Sequence, residues 1–191
     1  MNIYAYKISS VNGPGNRFTL WTQGCSKGCV NCFNPETWNN RDNIILSPLE
    51  IFEHIKDFEL DGVTITGGDP FEQEDELLEL LILIDGLNLS KGVIVFSGFT
   101  YDEIRDNKIR EKCCDYIDVL IDGRYEDNLR ISSGLKGSSN QNIFYFSSKI
   151  KENELLFDQE VEININNKEI YLTGFPVNDR KFLKDLGVIL K

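Results

Sequence analysis

The chain has 191 residues, enough for one domain with a real core and no disulfide staples, but short of the roughly 250 residues of a complete eight-fold (β/α) barrel. Its 31 acidic against 20 basic side chains give a net charge of −11, which argues against broad binding to nucleic acid or anionic membrane, because phosphate recognition needs clustered Lys and Arg. No stretch approaches the roughly 20 apolar residues of a membrane span, and residues 1–7 lack the basic start and apolar core of a signal peptide, so the chain reads as cytoplasmic.

In chain order, residues 17–23 (RFTLWTQ) read as a strand running straight into three closely spaced cysteines. Residues 48–58 read as a helix, with Ser47 as N-cap before Pro48 at the first helical position. Residues 60–66 (LDGVTIT) read as a buried strand that stops at Gly67-Gly68. Residues 71–85 read as an amphipathic helix, with Leu77, Leu78, Leu80, Leu81 and Ile84 on its apolar side and acids in its first turns. Residues 92–97 (GVIVFS) form the next strand, again followed by glycine. Thr100 and Glu103 then make a capping box for a helix over 100–106. Residues 117–121 (IDVLI) are a fourth strand, ending at Asp122-Gly123. The repeated order of strand, glycine turn and helix predicts an α/β body of βα units around a parallel sheet. The tail differs: residues 142–146, 160–165 and 169–172 read as strands, Asn166-Asn167 as a hairpin turn, and 179–186 as a short terminal helix. One domain is expected, with its core over about residues 13–141 and a small C-terminal β addition over about 142–191.

Five cysteines, an odd number, argue against a disulfide framework. Cys25, Cys29 and Cys32 lie within eight residues, spaced to converge on one metal centre. Structural zinc normally takes four ligands, whereas the only histidine, His54, falls on the helix at 48–58. Three thiolates can instead hold a 4Fe–4S cluster with one iron left free for a substrate or cofactor. A zinc site completed by Cys113 or Cys114 is the alternative; otherwise that pair is helix-end packing. The acidic run over 46–90, with 12 Asp or Glu and one Lys, reads as a solvated face or as a docking surface for a basic partner.

The Cys-x3-Cys-x2-Cys loop after the first predicted strand resembles that of the radical S-adenosylmethionine enzymes. The resemblance extends through Gly13-Pro14-Gly15-Asn16-Arg17, Trp21-Thr22-Gln23-Gly24, Phe33-Asn34, Thr37-Trp38, Thr66-Gly67-Gly68-Asp69-Pro70, Phe96-Ser97-Gly98-Phe99-Thr100, residues 118–123 (DVLIDG) and residues 137–141 (GSSNQ). In that order these stretches are similar to the activating proteins of anaerobic ribonucleoside-triphosphate reductase and related single-cluster proteins, over about two thirds of the chain. The segment after Gln141, with Tyr171 to Pro176, is longer than in the shortest activators and looks more like the related single-cluster proteins.

The resemblance implies a partial (β/α) barrel of the radical S-adenosylmethionine type. It implies a 4Fe–4S cluster on Cys25, Cys29 and Cys32, S-adenosylmethionine on the open iron, and a 5′-deoxyadenosyl radical that abstracts hydrogen. The implied partners are a glycyl radical enzyme, as protein substrate, and a flavodoxin- or ferredoxin-like electron donor. The implied cofactor contacts are Phe33, Asn34, Gly67, Gly68, Asp69, Pro70, Ser97 and Asp122. Asn31 stands where the family often has an aromatic residue; here the aromatic is Phe33. Lys27 lies inside the loop. For the other positions a plainer reading stands beside each functional one. The turn at 67–70 is also an ordinary βα turn, and Ser97 to Phe99 an ordinary strand-to-helix turn. Asp122 also suits a cap or an ion pair with Arg124, and 137–141 a surface turn. Trp21 and Trp38 read as core or shielding residues. Two rival functions remain: a small radical enzyme acting on a peptide or small molecule from its own gene cluster, and a non-enzymatic iron–sulfur or zinc protein.

Overall fold

The computed structural model describes residues 1–158, 160–165, 170–174 and 189–190. The expected turn at Asn166-Asn167 and helix at 179–186 lie outside the described residues. The strands are β1 (Asn2–Ser9), β2 (Arg17–Thr22), β3 (Ile44–Ile45), β4 (Gly62–Gly67), β5 (Val93–Phe96), β6 (Val119–Asp122), β7 (Asn142–Tyr145), β8 (Val161–Ile165), β9 (Ile170–Gly174) and β10 (Ile189–Leu190). The helices are α1 (Pro48–Lys56), α2 (Glu74–Asp85), α3 (Tyr101–Arg105) and α4 (Lys108–Cys113).

Seven strands form one sheet in the order β3-β1-β2-β4-β5-β6-β7, and β10-β9-β8 form a second. Strands β2, β4, β5 and β6 are parallel, as the βα rhythm requires. Because they are consecutive in the sheet, same-handed crossovers place their helices on one face. Strand β1, which sequence patterning did not announce, pairs antiparallel with β2, and β7 pairs antiparallel with β6. An antiparallel strand therefore flanks the parallel run on each side, and among the described residues the sheet is open. β7 belongs to the main sheet, and the separate β addition is β8 to β10.

Local chemistry sets the helix starts. The hydroxyl of Ser47 accepts from the Glu50 N–H at 3.3 Å, and the Glu50 carboxylate accepts from the Ser47 N–H at 2.7 Å. Thr100 and Glu103 repeat the box at α3. The expected helix at 71–85 is split: Pro70–Gln73 is a 3-10 turn and α2 begins at Glu74. Helix α4 was not expected; Asn107 caps it, its side-chain oxygen accepting from the N–H groups of Ile109 and Arg110 at 2.9 and 3.2 Å. α2 buries Leu77, Leu80, Leu81 and Ile84 completely or nearly so. At roughly 1.5–3 kcal/mol for each buried aliphatic side chain, this packing outweighs the marginal stability of so short a helix on its own. The helical face of the sheet joins this core through Ile3, Phe18, Leu20, Val63, Ile65, Val95 and Leu120. The other face is covered by Leu135, Ile150 and Leu155, which pack on Ile94, Val119 and Ile121.

Arg17 fastens the N-terminal ends of the parallel strands. It is fully buried, its Nε donates to the Thr64 hydroxyl at 2.7 Å, and its guanidinium donates to the carbonyls of Pro14, Lys91, Val63 and Gly92 at 2.7–3.1 Å. Burial pushes its pKa down to about 9, with Asp118 and Asp61 opposing. Gly62 leaves the room: a Cβ there would lie 2.3 Å from Arg17 Nη1. This girdle braces one rim of the sheet and leaves the opposite rim to the cysteines.

Candidate functional site

The C-terminal ends of β2, β4, β5 and β6 lie on one rim, and the cysteine loop leaves β2 there. The loop closes on itself: Gly24 N–H donates to Thr37 O at 2.7 Å and Cys25 N–H to Trp38 O at 3.1 Å. It is tied to the neighbouring strand end by Gly68 N–H to Thr22 O and Asp69 N–H to Gly24 O, both 2.8 Å. Left-handed residues Gly28 (φ +59°) and Asn31 (φ +55°) turn the chain between the cysteines.

Cys25, Cys29 and Cys32 are in no disulfide, and each is partly exposed. Cys32 Sγ accepts the Asn34 N–H at 3.4 Å, and Cys32 N–H donates to Cys29 O at 3.1 Å. Burial pushes the Cys25 thiol up to about 11, so metal binding there must release a proton. Among the described residues, no three His, Cys, Asp or Glu side chains converge closely enough to hold a single metal ion. A cluster takes one thiolate per iron, so three ligands need not crowd one point, and the donor set fits a 4Fe–4S group with one iron lacking a protein thiolate. Cys113 is fully buried in the helical core and Cys114 packs partly against it. Their thiols lie against Glu74 O at 3.9 Å and Arg110 O at 3.7 Å, which is the helix-end packing expected of them. Their thiol pKa values are pushed up by burial to about 12 and about 11. His54 is an exposed α1 residue stacked on Tyr6 at 5.2 Å.

One flank of the loop is the turn after β4. A Cβ on Gly68 would lie 2.1 Å from Gly24 O, so glycine admits the cysteine loop itself against this turn. Buried Pro70 opens the 3-10 turn. Asp69 is fully buried and accepts from Ser97 Oγ at 3.0 Å, Gly98 N–H at 2.9 Å and Phe71 N–H at 3.2 Å. Its carboxylate thus bolts the β4 turn to the β5 turn. Ser97 also accepts the Phe99 N–H at 3.0 Å.

Burial is the largest influence on Asp69 and raises its pKa from 3.8 to about 6, against the opposing hydrogen bonds and Lys27. The protonated acid is therefore favoured by folding. Its contribution is complete below about pH 4 and lost as pH rises through about 6, on the order of 3 kcal/mol in all. Denaturant midpoints measured from pH 4 to 7 should show the wild type losing stability relative to Asp69→Asn over that window. A pH-independent difference would contradict this account.

The other flank comes from the segment after β6. Asn31 Nδ2 donates to Asp127 Oδ2 at 2.7 Å, and Tyr125 hydroxyl to Asp127 Oδ1 at 2.7 Å. The Phe33 ring packs on Tyr125 at 5.1 Å and beneath the Arg130 guanidinium at 4.8 Å. Gly137 lies against both rings; a Cβ there would meet Phe33 at 2.8 Å. Gln141 accepts from Gly137 N–H at 2.8 Å and donates to Gly123 O at 2.8 Å, so 137–141 is a self-satisfied turn. Asn34 accepts through its carbonyl from the Thr37 hydroxyl at 2.6 Å. Asp122 is buried and accepts from Tyr101 N–H at 2.6 Å and from Asn142 N–H and Nδ2 at 3.1 and 3.0 Å. It caps α3 and anchors β7, while Arg124 pairs with Glu103 at 3.0 Å.

The rim thus gathers the cysteine loop, the β4 and β5 turns and the segment 122–141. Of the expected ligand contacts, Asp69 and Ser97 bond each other and neighbouring N–H groups, and Asp122 bonds Tyr101 N–H and Asn142. Tyr125, Asp127 and Arg130 were not expected at the site; their one signal was nearness in sequence to Asp122-Gly123. Trp21 is buried in β2, and Trp38 serves the loop through its carbonyl.

Comparison with known proteins bears on the family of this chain. The family described as a 4Fe-4S single cluster domain matches residues 11–144. An anaerobic ribonucleoside-triphosphate reductase-activating protein of Enterobacteria phage T4 is 31% identical over 144 residues, covering 73% of this chain and 90% of the relative. Proteins of the same description from Pasteurella multocida (strain Pm70) and Escherichia coli (strain K12) are 32% identical over 150 residues and 33% over 144. These cover 74% and 71% of this chain and 95% and 92% of the relatives. The second sheet lies beyond the family match.

Proposed function

This chain belongs to the 4Fe-4S single cluster family that includes the anaerobic ribonucleoside-triphosphate reductase-activating proteins, and from that premise we propose that it is a radical S-adenosylmethionine activase for such a reductase. The observation that carries the reading is the three-thiol loop, closed on itself and bolted to neighbouring strand ends on one rim. Cys25, Cys29 and Cys32 would hold a 4Fe–4S cluster with one iron open to S-adenosylmethionine, and together these groups would supply the radical chemistry that takes hydrogen from a glycine of the partner. We read the β2-β4-β5-β6 sheet as the arc of a partial barrel, open on the side where a protein substrate would sit.

The chain's own residues orient and shield. The β4 turn, Gly67 to Pro70, offers backbone polar groups beside the loop, with its shape fixed by the Asp69–Ser97 bolt. Phe33, backed by Tyr125 and capped by Arg130, walls the opposite flank, and Asn34 holds the Cys32 sulfur through its N–H. Asp122 keeps the β6 end in place. A flavodoxin- or ferredoxin-like protein would supply the electron.

The test is anaerobic reconstitution with iron and sulfide, reduction, addition of S-adenosylmethionine and assay of 5′-deoxyadenosine. The glycyl radical of a co-incubated reductase would be read by electron paramagnetic resonance. Cluster without 5′-deoxyadenosine would overturn the radical reading. 5′-Deoxyadenosine without a glycyl radical would favour the second reading, an enzyme acting on a peptide or small molecule. The second sheet, outside the family match, is the feature that favours that alternative.

A further inference from the structure

A lysine in an exposed, metal-binding loop ordinarily runs its stem over apolar surface and leaves its ammonium in water. Lys27, between Cys25 and Cys29, does not. Its side chain is only 7% exposed. The ammonium sits 3.2 Å above the centre of the Phe99 ring, 3.6 Å from Glu72 Oε1 and 3.4 Å from Ser26 Oγ. The stem fills space that any side chain at position 98 would take, since a Cβ on Gly98 would lie 2.8 Å from Lys27 Cγ. Both receiving elements are themselves fixed. Glu72 also accepts the Ser26 N–H at 2.8 Å, and Phe99 is covered by the Arg110 guanidinium at 4.1 Å. Arg110 is in turn paired with Glu74 at the start of α2. Burying an ammonium is costly unless an opposing charge and a π face receive it, and here both do.

We propose that Lys27 is a positioning residue that clamps the cysteine loop onto the β4 and β5 turns and, through its fixed charge, raises the reduction potential of the cluster the loop holds. The inference rests on the cluster reading of Cys25, Cys29 and Cys32. Two consequences follow from one placement. Mechanically, the segment between the first two cysteines is held at both ends of the lysine side chain, by Gly98 along the stem and by Phe99 and Glu72 at the head. Electrostatically, reduction adds one electron, delivered by an external low-potential donor, to a group already carrying thiolate charge. A buried cation carried on the same loop favours the state with the extra electron, and such charges are among the factors that set cluster potentials. Glu72, on the same loop contact, acts with the opposite sign.

Lys27→Met, Lys27→Arg and Glu72→Gln, each reconstituted anaerobically beside the wild type, test this. The readouts are iron per chain, the rate of iron loss to a chelator, and the midpoint potential from a redox titration. Lys27→Met keeps the stem and removes the charge. Its potential should fall and its iron loss should accelerate several-fold, and Lys27→Arg should recover most of both. Glu72→Gln should move the potential upward. An unchanged potential in Lys27→Met overturns the proposal whatever its iron retention, because a merely structural lysine would alter retention alone. If Lys27→Met takes up no iron, Glu72→Gln decides: an upward shift supports the proposal and no shift overturns it. Failure of the wild type to take up a cluster would instead refute the cluster reading itself.

Discussion

Replacing Cys25, Cys29 or Cys32 singly with Ala should remove the cluster's visible absorbance and reduce 5′-deoxyadenosine formation by well over 100-fold, whereas Cys113→Ala and Cys114→Ala should retain both. The asymmetry follows from placement. The first three thiols are outside any disulfide, partly exposed and carried on one loop that closes on itself through the carbonyls of Thr37 and Trp38. Each would hold one iron, while the thiols of Cys113 and Cys114 lie in the helical core against Glu74 O and Arg110 O. Changes in groups that only support metal ligands cost about 10–100-fold, so loss of a direct ligand must exceed that. Cys113 and Cys114 end a helix and pack with the core. Removing the fully buried Cys113 sulfur leaves a small cavity costing about 1 kcal/mol, which lowers stability without touching the loop. Iron and sulfide per chain, with thermal melting as the control, separate the two classes. Wild-type iron in all three loop variants would mean that other ligands hold the metal.

Much of this arrangement could be read from the chain alone, and the exceptions share a cause. Capping boxes at Ser47 and Thr100 are local, since all their partners lie within three residues, and both form. The glycine-terminated strands β4 and β5 are buried β-branched runs, and they too lie where expected. Strand β1 escaped notice because its burial alternates irregularly around a register shift between Ile3 and Ala5. Helix α4 is short, and its one clear signal is the Asn107 cap. The carboxylates at the strand ends show a different limit of local reading. Asp69, like Asp122, stands on the rim where ligands gather, yet each is spent on distant N–H groups: Gly98 is 29 residues from Asp69, and Tyr101 is 21 from Asp122. Residue type and strand position locate such a group on the rim. Which way it faces depends on pairings between segments far apart in sequence, which no local pattern encodes.

Those long-range pairings make Gly68→Ala the substitution with the largest expected effect outside the cysteines. Gly68 faces the peptide of Gly24, immediately before Cys25; a Cβ would stand 2.1 Å from Gly24 O and 2.8 Å from Gly24 C. Ordinary contact between such atoms is about 3.5–4.0 Å, so one chain must withdraw by roughly 1 Å or more. Neither is free to do so without loss. Withdrawal of the β4 turn strains the Gly68 N–H to Thr22 O bond, and withdrawal of the loop strains Asp69 N–H to Gly24 O. Overpacking of this kind costs about 1–3 kcal/mol in stability. Its effect on chemistry should be greater, because displacing a reacting group by about 1 Å can cost about 100-fold. Gly68→Ala should therefore fold, bind iron with lowered stability towards chelators, and form 5′-deoxyadenosine about 100-fold more slowly with all three cysteines intact. Gly86→Ala supplies the control. It lies at the end of α2, where an added Cβ meets nothing closer than Leu83 O at 3.6 Å, and its stability should stay within about 0.5 kcal/mol of wild type. Wild-type turnover in Gly68→Ala would show that the contact with Gly24 does not set the position of the cysteine loop, and the placement of Cys25 would then have to rest on the Thr37 and Trp38 carbonyls and on the contacts of Ser26 and Lys27 with Glu72 and Phe99.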